Sequence, residues 1–283
     1  MNVELTLNQL ESFDEQGYLV LPELFNADEV SRMQSEADNV LELIMNSSLA
    51  NQRRSGRLDI RETPGGKWIV RKIQPINDLS LFLAQVSADE RLVTPLRQIM
   101  GDEPILMEEK LNYKEPLPEP VEGIDARQLD DRFPVHNDWA YYAAQDYPQT
   151  VLSSAICIDE CTEDSGPIRV WPGSHKKHLE HVQIENGLEV PPNLVDHNGG
   201  IEVLAPAGSI FIFHVLLIHN SKPNVSGRPR RLMIYSHFPN AANKGNDIRN
   251  GPGRLRESPW EWEYQRKKER GEFVDEFEAP SFG

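Results

Sequence analysis

From residue 104 onward, strand-sized apolar stretches alternate with Pro, Gly and polar runs, and this punctuation constrains the fold more than any other feature. PILMEEKLNYK (104–114), VLSSAICI (151–158), PIRVW (167–171), IEVL (201–204), SIFIFHVLL (209–217) and RRLMIYSHF (230–238) all have this form. Strands at that spacing predict a barrel or sandwich. The 21 prolines and 18 glycines in 283 residues suit such a loop-rich fold. Two long polar insertions, 115–132 and 176–200, are where a rigid barrel carries its binding residues.

Ahead of the strands the pattern is helical. Thr6 and Gln9 form a capping box before LNQLESFDEQ, Gly17 ends that helix, and YLVLPELF (18–25) comes next as a strand. Asn26 with Glu29 opens a second helix to about residue 45, with Val30, Met33, Ala37, Val40, Leu41 and Ile44 on one face. Residues 46–66 read as loop, 67–76 as a strand and 87–101 as a further helix closed by Gly101. No repeat or Ser/Gly linker divides the chain. Residues 1–283 therefore read as one domain: helical support over 1–103, a β core over 104–240, and a C-terminal extension over 241–283 with WEWEY (260–264) helical.

Charge and hydropathy exclude several functions. Lys and Arg number 29 against 45 Asp and Glu, a net charge of −16 that repels phosphate backbones and argues against nucleic acid as a partner. QRKKER (265–270) is flanked by acids and reads as a solvated helix face. The longest apolar run, IFIFHVLLI (210–218), is too short to span a bilayer, and the N-terminus shows no secretory pattern, so the expected location is cytoplasmic. Cys157 and Cys161 read as a reduced, inert pair. Neither heptads nor an apolar edge strand specifies an oligomeric state.

Three side chains point to a metal. His136 and Asp138 lie two apart in FPVHNDWAYY, so in an extended segment they face the same way; His219 ends SIFIFHVLLIH. Two imidazoles and one carboxylate on one face of an ion suit ferrous iron, because three positions stay open for a chelating cosubstrate and dioxygen. A structural zinc site would want four protein ligands. H-x-D pairs occur by chance, and the weight comes from the residues on the C-terminal side of His219. In HNSKPNVSGRPRR, Arg230 begins the next strand facing the barrel interior, where its guanidinium can form a bidentate pair with the far carboxylate of a 2-oxo acid. Ser221 is a second donor, and Arg231 alternates to the other face. Substrate contacts are expected from Trp139, Tyr141, Tyr142 and Lys110, Tyr142 first because it shares the parity of Asp138 if the strand continues. Segments 46–66 and 115–132 are candidate lids.

KLNYKEP, HND, DSGPIRVWPGSHK and GSIFIFHVLLIHNSKPNVSGRPRRLMIYSHF occur in the order seen in the phytanoyl-CoA dioxygenase family of iron(II)- and 2-oxoglutarate-dependent oxygenases, and TLNQLESFDEQGYLVLPELFNADEVSRM resembles that family's entry segment. The resemblance implies a double-stranded β-helix (jelly-roll) core with helices outside. By position it implies iron on His136, Asp138 and His219, and the 2-oxoglutarate C5 carboxylate on Arg230 and Ser221. It also places Asn112 against 2-oxoglutarate. Halogenating members replace the carboxylate ligand with a small residue, so Asp138 implies hydroxylation or a related oxidation of a small-molecule metabolite, with succinate and carbon dioxide as coproducts. The acidic chain shows no segment suited to a CoA moiety. The PGSH turn (172–175) and His214 read as structural, and His178, His181, His197 and His237 as solvent-facing or structural. Two other readings of the same barrel are a cupin-type metal-dependent isomerase or hydrolase, and a binding module without chemistry.

Overall fold

The computed structural model describes residues 3–62, 68–116, 133–185, 187–243 and 260–272. Helix α1 (Leu7–Gln16) carries the Thr6–Gln9 capping box and stops where Gly17 turns left-handed. After β1 (Tyr18–Leu21), the Asn26–Glu29 box starts α2 (Ala27–Ala50), which buries Val30, Met33, Ala37, Val40 and Ile44. This helix outruns the expected end near 45 because Asn46 and Ser47 are also buried. The rest of 46–66 is not all loop: β2 (Leu58–Glu62) pairs with β3 (Trp68–Ile73). A short helix not read from the sequence, α3 (Leu81–Val86), is capped by Ser80, and α4 (Glu90–Met100) runs from Asp89 to Gly101.

The β core comes next: β4 (Pro104–Lys114), β5 (Phe133–His136), a turn of helix α5 (Trp139–Tyr142), β6 (Leu152–Cys157), β7 (Ile168–Val170), β8 (Val182–Ile184), β9 (Gly187–Glu189), β10 (Ile201–Glu202), β11 (Ile210–His214), β12 (His219–Ser221) and β13 (Arg230–Pro239). The tail helix α6 (Trp260–Glu269) packs on α2, with Glu261 buried and accepting from Ser55 Oγ at 2.5 Å. Seven strands form one sheet, in the order β1-β11-β6-β13-β4-β3-β2. Four form a second, β10-β7-β12-β5, and β8-β9 pair alone. The lid segment 115–132 lies outside the described residues beyond Glu115 and Pro116.

Alternation along the strands sorts side chains between two cores. On β11, Ile210 and Ile212 pack against the helices, whereas Phe211 and Phe213 turn inward between the sheets. On β13, Met233 and Tyr235 meet the helices and Leu232 and Ile234 face inward. The helices thus cover the outer face of the large sheet and leave its inner face to the barrel interior.

SIFIFHVLLIH is not one strand. β11 ends at His214 in the large sheet, and the chain crosses through 215–218 so that His219 opens β12 in the small sheet. The segment after β1 is locked to the start of β11 by Phe25 N–H donating to the Gly208 carbonyl at 3.0 Å. Gly208 has φ +84, and a Cβ there would lie 2.3 Å from the Phe25 carbonyl oxygen. Gly208→Ala is therefore expected to cost on the order of 3 kcal/mol. Urea denaturation checks this, and a loss below about 0.5 kcal/mol would contradict the packing described.

Candidate metal centre

β12 and β5 pair antiparallel with His219 directly opposite His136, and the imidazole centroids are 4.4 Å apart. Asp138 arrives differently from the sequence expectation. The strand stops at His136, and Asp138 sits in helical backbone (φ −67, ψ −28) at the head of α5. Its Oδ1 nevertheless lies 3.6 Å from His136 Nε2 and 3.8 Å from His219 Nε2. The three ligand atoms all fall within 4.8 Å of one another.

Each histidine is set for coordination by its second nitrogen. His136 Nδ1 donates to the Pro134 carbonyl at 2.7 Å and His219 Nδ1 to the Leu217 carbonyl at 2.9 Å, leaving both Nε2 lone pairs aimed at the shared point. Burial, and then the neighbouring His136, depress the His219 pKa to about 4, so the ring is neutral at pH 7. Burial works to raise the Asp138 pKa. Lys110, His136 and His219 outweigh it and hold the group below the ordinary carboxylate range. A neutral His219 imidazole and an ionised Asp138 carboxylate are protonation states that suit a divalent cation.

The triad faces a cavity of about 350 Å³ between the sheets. Arg230 and Ser221 line it at one end. Arg230 is buried and donates from Nη2 to the Gly166 carbonyl at 2.6 Å; no carboxylate among the described residues pairs with it, and its Nε has no hydrogen-bond partner there. Ser221 Oγ accepts from Lys114 Nζ at 2.6 Å. Asn112 also lines the cavity, with its Oδ1 buried and without a hydrogen-bond partner among the described residues. Arg231 points outward to Asp159 and Asp38, as alternation requires. Sequence reasoning misses Lys114, although it lies two residues past Asn112 on the same face of β4.

The expected substrate residues divide. Because WAYY is helical, strand parity does not apply beyond Asp138. Tyr142 still lines the cavity and donates from its hydroxyl to Glu108, which also accepts from Lys110 Nζ and from Gln74 Nε2, each at 3.0 Å. Tyr141 lines it too, edge-on to His136, with its hydroxyl accepting from the Leu188 N–H at 2.9 Å. Trp139 is not in the lining: its indole donates to the Tyr147 carbonyl and its ring packs in the cluster that holds Tyr147 and Phe238. Asp59, from the strand that replaces part of the expected loop, and Arg71 and Lys72, from the expected strand beside it, add to the cavity wall. His214 stays in the barrel wall against His175, Gly173 takes φ +78 in the PGSH turn, and His237 is fully buried. Cys157 and Cys161 are free thiols, Sγ to Sγ 3.6 Å.

Residues 13–232 match the family model described as phytanoyl-CoA dioxygenase (PhyH). The chain belongs to the phytanoyl-CoA dioxygenase family. It is 29% identical over 262 residues to an ectoine dioxygenase of Sphingopyxis alaskensis, covering 85% of this chain and 78% of that protein. It is 24% identical to a probable alpha-ketoglutarate-dependent hypophosphite dioxygenase of Stutzerimonas stutzeri, covering 81% and 77%. The crystal structure of EctD from S. alaskensis with 2-oxoglutarate and 5-hydroxyectoine superposes with a TM-score of 0.65 at 26% identity, over 84% of this chain and 77% of that one. The same enzyme with bound iron gives 0.66 at 25%, over 89% and 82%. The fold is thus the double-stranded β-helix, and this family member is an iron(II)- and 2-oxoglutarate-dependent dioxygenase that hydroxylates a small molecule on the His136–Asp138–His219 triad. No helix among the described residues is long and apolar enough to cross a membrane.

The buried histidines make the apoprotein sensitive to acid. Burial lowers His237 to about 3, and burial followed by the neighbouring His175 lowers His214 to about 4, from 6.5. The unfolded chain takes up these protons first, so stability is complete above about pH 6.5 and falls as pH drops toward 4. Fully buried His237 alone contributes a slope on the order of 1 kcal/mol per pH unit across that window. Thermal melts of the metal-free protein from pH 7.5 to 4.5 check this; a flat melting temperature down to pH 5 would contradict it.

Proposed function

We propose that the substrate is a small, charged metabolite about the size of ectoine, and that Arg230, Ser221, Lys114 and Asn112 seat 2-oxoglutarate beside it. The observation that carries this reading is the buried Arg230 guanidinium with no carboxylate among the described residues, in the same small cavity as the triad. An uncompensated buried cation is costly, and a ligand carboxylate removes that cost through charge-assisted hydrogen bonds. Ser221, accepting from Lys114, keeps its own hydrogen for the same carboxylate, and Asn112, on the same cavity wall, has side-chain N–H groups to donate to the acid.

Iron held by the triad would supply the activation of dioxygen that couples decarboxylation of 2-oxoglutarate to oxidation of an unactivated C–H bond. The protein's own residues provide orientation and exclusion of water. Phe213, Leu232 and Ile234 form an apolar floor, and Tyr141 packs edge-on to His136. The opposite wall is charged: Arg71, Lys72 and Lys110 stand with Asp59 and Glu108. A cavity of about 350 Å³ lined in this way fits a compact polar molecule bearing an anionic group, and not a fatty acyl thioester. The similarity to ectoine dioxygenases makes ectoine the first compound to assay. Asp138 leaves no protein-ligand position to a halide, which favours hydroxylation over halogenation.

Arg230→Met is expected to weaken 2-oxoglutarate binding by roughly 30- to 1000-fold, the loss for truncating one partner of a buried charge pair, with metal affinity unchanged. Arg231→Met is expected to leave 2-oxoglutarate affinity intact. Calorimetry separates the two, and equal losses in both variants would contradict the seating. With iron, 2-oxoglutarate and air, succinate is expected in one-to-one yield with hydroxylated product when ectoine or a zwitterion of similar size is supplied. Stimulation by acyl-CoA thioesters alone would overturn the substrate class.

A further inference from the structure

The residue between the two leading ligands, Asn137, is fully buried, and two histidines from a distant loop hold it. β5 ends at His136, and the Asn137 N–H that follows it finds its acceptor in a side chain. His181 Nε2 accepts it at 3.1 Å. The tautomer is consistent: His181 Nδ1 lies 2.8 Å from the Leu179 carbonyl and must donate there, which leaves Nε2 as the acceptor. The Asn137 side-chain amide donates to His178 Nδ1 at 3.2 Å and to the Leu216 carbonyl at 3.4 Å, while its Oδ1 accepts from Ala140 N–H at 3.2 Å. His178 and His181 lie parallel, centroids 5.4 Å apart, and Trp139 packs edge-on to His178.

This grip falls where the backbone changes course. His136 ends a strand and Asp138 begins a helix, so the peptide carrying the Asn137 N–H orients the two ligands relative to each other. A buried N–H without an acceptor at that point would be costly, and the peptide would turn to find one. We propose that His181, supported by His178, is a positioning residue for the metal centre: it holds the Asn137 peptide so that His136 and Asp138 converge on one ion. Neither histidine lines the cavity. The proposal rests on the triad being the metal site and concerns its geometry, not the identity of the substrate.

Anaerobic cobalt(II) titration of the metal-free protein, followed by its visible ligand-field bands, tests this without turnover. His181→Leu is expected to bind cobalt(II) between 10- and 100-fold more weakly, the range for outer partners of metal ligands. His181→Gln, whose amide oxygen can accept the same hydrogen bond, is expected to stay within about threefold of wild type. Unchanged affinity in His181→Leu, or equal loss in Leu and Gln variants with a matching fall in apoprotein melting temperature, would overturn the brace and leave a merely structural contact. Failure of the wild type to bind cobalt(II) would overturn the metal centre itself, and the brace with it. Should His181→Leu not fold, amide hydrogen exchange in the wild-type apoprotein decides: a protected Asn137 N–H supports the proposal, and exchange at the rate of an open peptide refutes it.

Discussion

The antiparallel register that sets His219 across from His136 is the constraint on which the site depends. Side chains on a strand alternate with period two, so a slip of one residue between β12 and β5 would turn His219 away from His136 and Asp138. The same strand, in regular pairing with β7, reaches the other end of the cavity. Ser221 lies two residues past His219, roughly 7 Å along the strand on the same face, a separation that a short dicarboxylate can bridge. β13 then brings Arg230 to that end through its pairing with β4, where Arg230 lies opposite Lys114. The two histidines of the triad and the Arg230–Ser221 end of the cavity are thus spaced by sheet geometry, and Asp138 joins them from the turn after β5.

Electrostatics reinforce the arrangement. The whole chain is strongly acidic, yet Arg230 is buried at the cavity, Lys114 is buried behind it on Ser221, and Lys110 sits on the cavity wall. Lys110 serves two carboxylates: it forms an ion pair with Glu108 and favours the ionised form of Asp138. Glu108 is in turn fixed by Tyr142 and Gln74. Burial penalises the Glu108 charge, and Lys110 and Tyr142 outweigh that penalty, holding its pKa below the usual value. Such a network is favourable only when its members stay together, so a substitution at Lys110 reaches both the cavity wall and the metal ligand.

The parts of this structure legible in the sequence are those governed by local rules. Capping boxes at Thr6 and Asn26, the alternation of Arg230 and Arg231, and the ligand identities all derive from spacing and side-chain chemistry. The parts that were not legible depend on tertiary packing. SIFIFHVLLIH reads as one strand because no Pro or Gly punctuates it, but the crossing from one sheet to the other at 215–218 is a property of barrel closure. Whether the strand continues through WAYY is not set by its spacing; the Trp139 N–H bond to the Val215 carbonyl and the cluster around Tyr147 hold it as a helical turn, with Trp139 outside the lining. β2 hides in a polar stretch because its pairing with β3, at the edge of the large sheet, sets its place. His178 and His181 have no ligand spacing, and nothing in their neighbours shows that the fold delivers them to Asn137.

The central claim is that three side chains, separated by up to 83 positions in the chain, form one open-faced iron site beside a seat for 2-oxoglutarate. Anaerobic addition of ferrous iron and 2-oxoglutarate to the purified protein tests it most directly. The account predicts a visible charge-transfer band from iron chelated by the oxo acid, saturating at one iron and one 2-oxoglutarate per chain and absent in His219→Ala. A wild-type protein that binds both components yet shows no band, or a band that survives loss of His219, would contradict it.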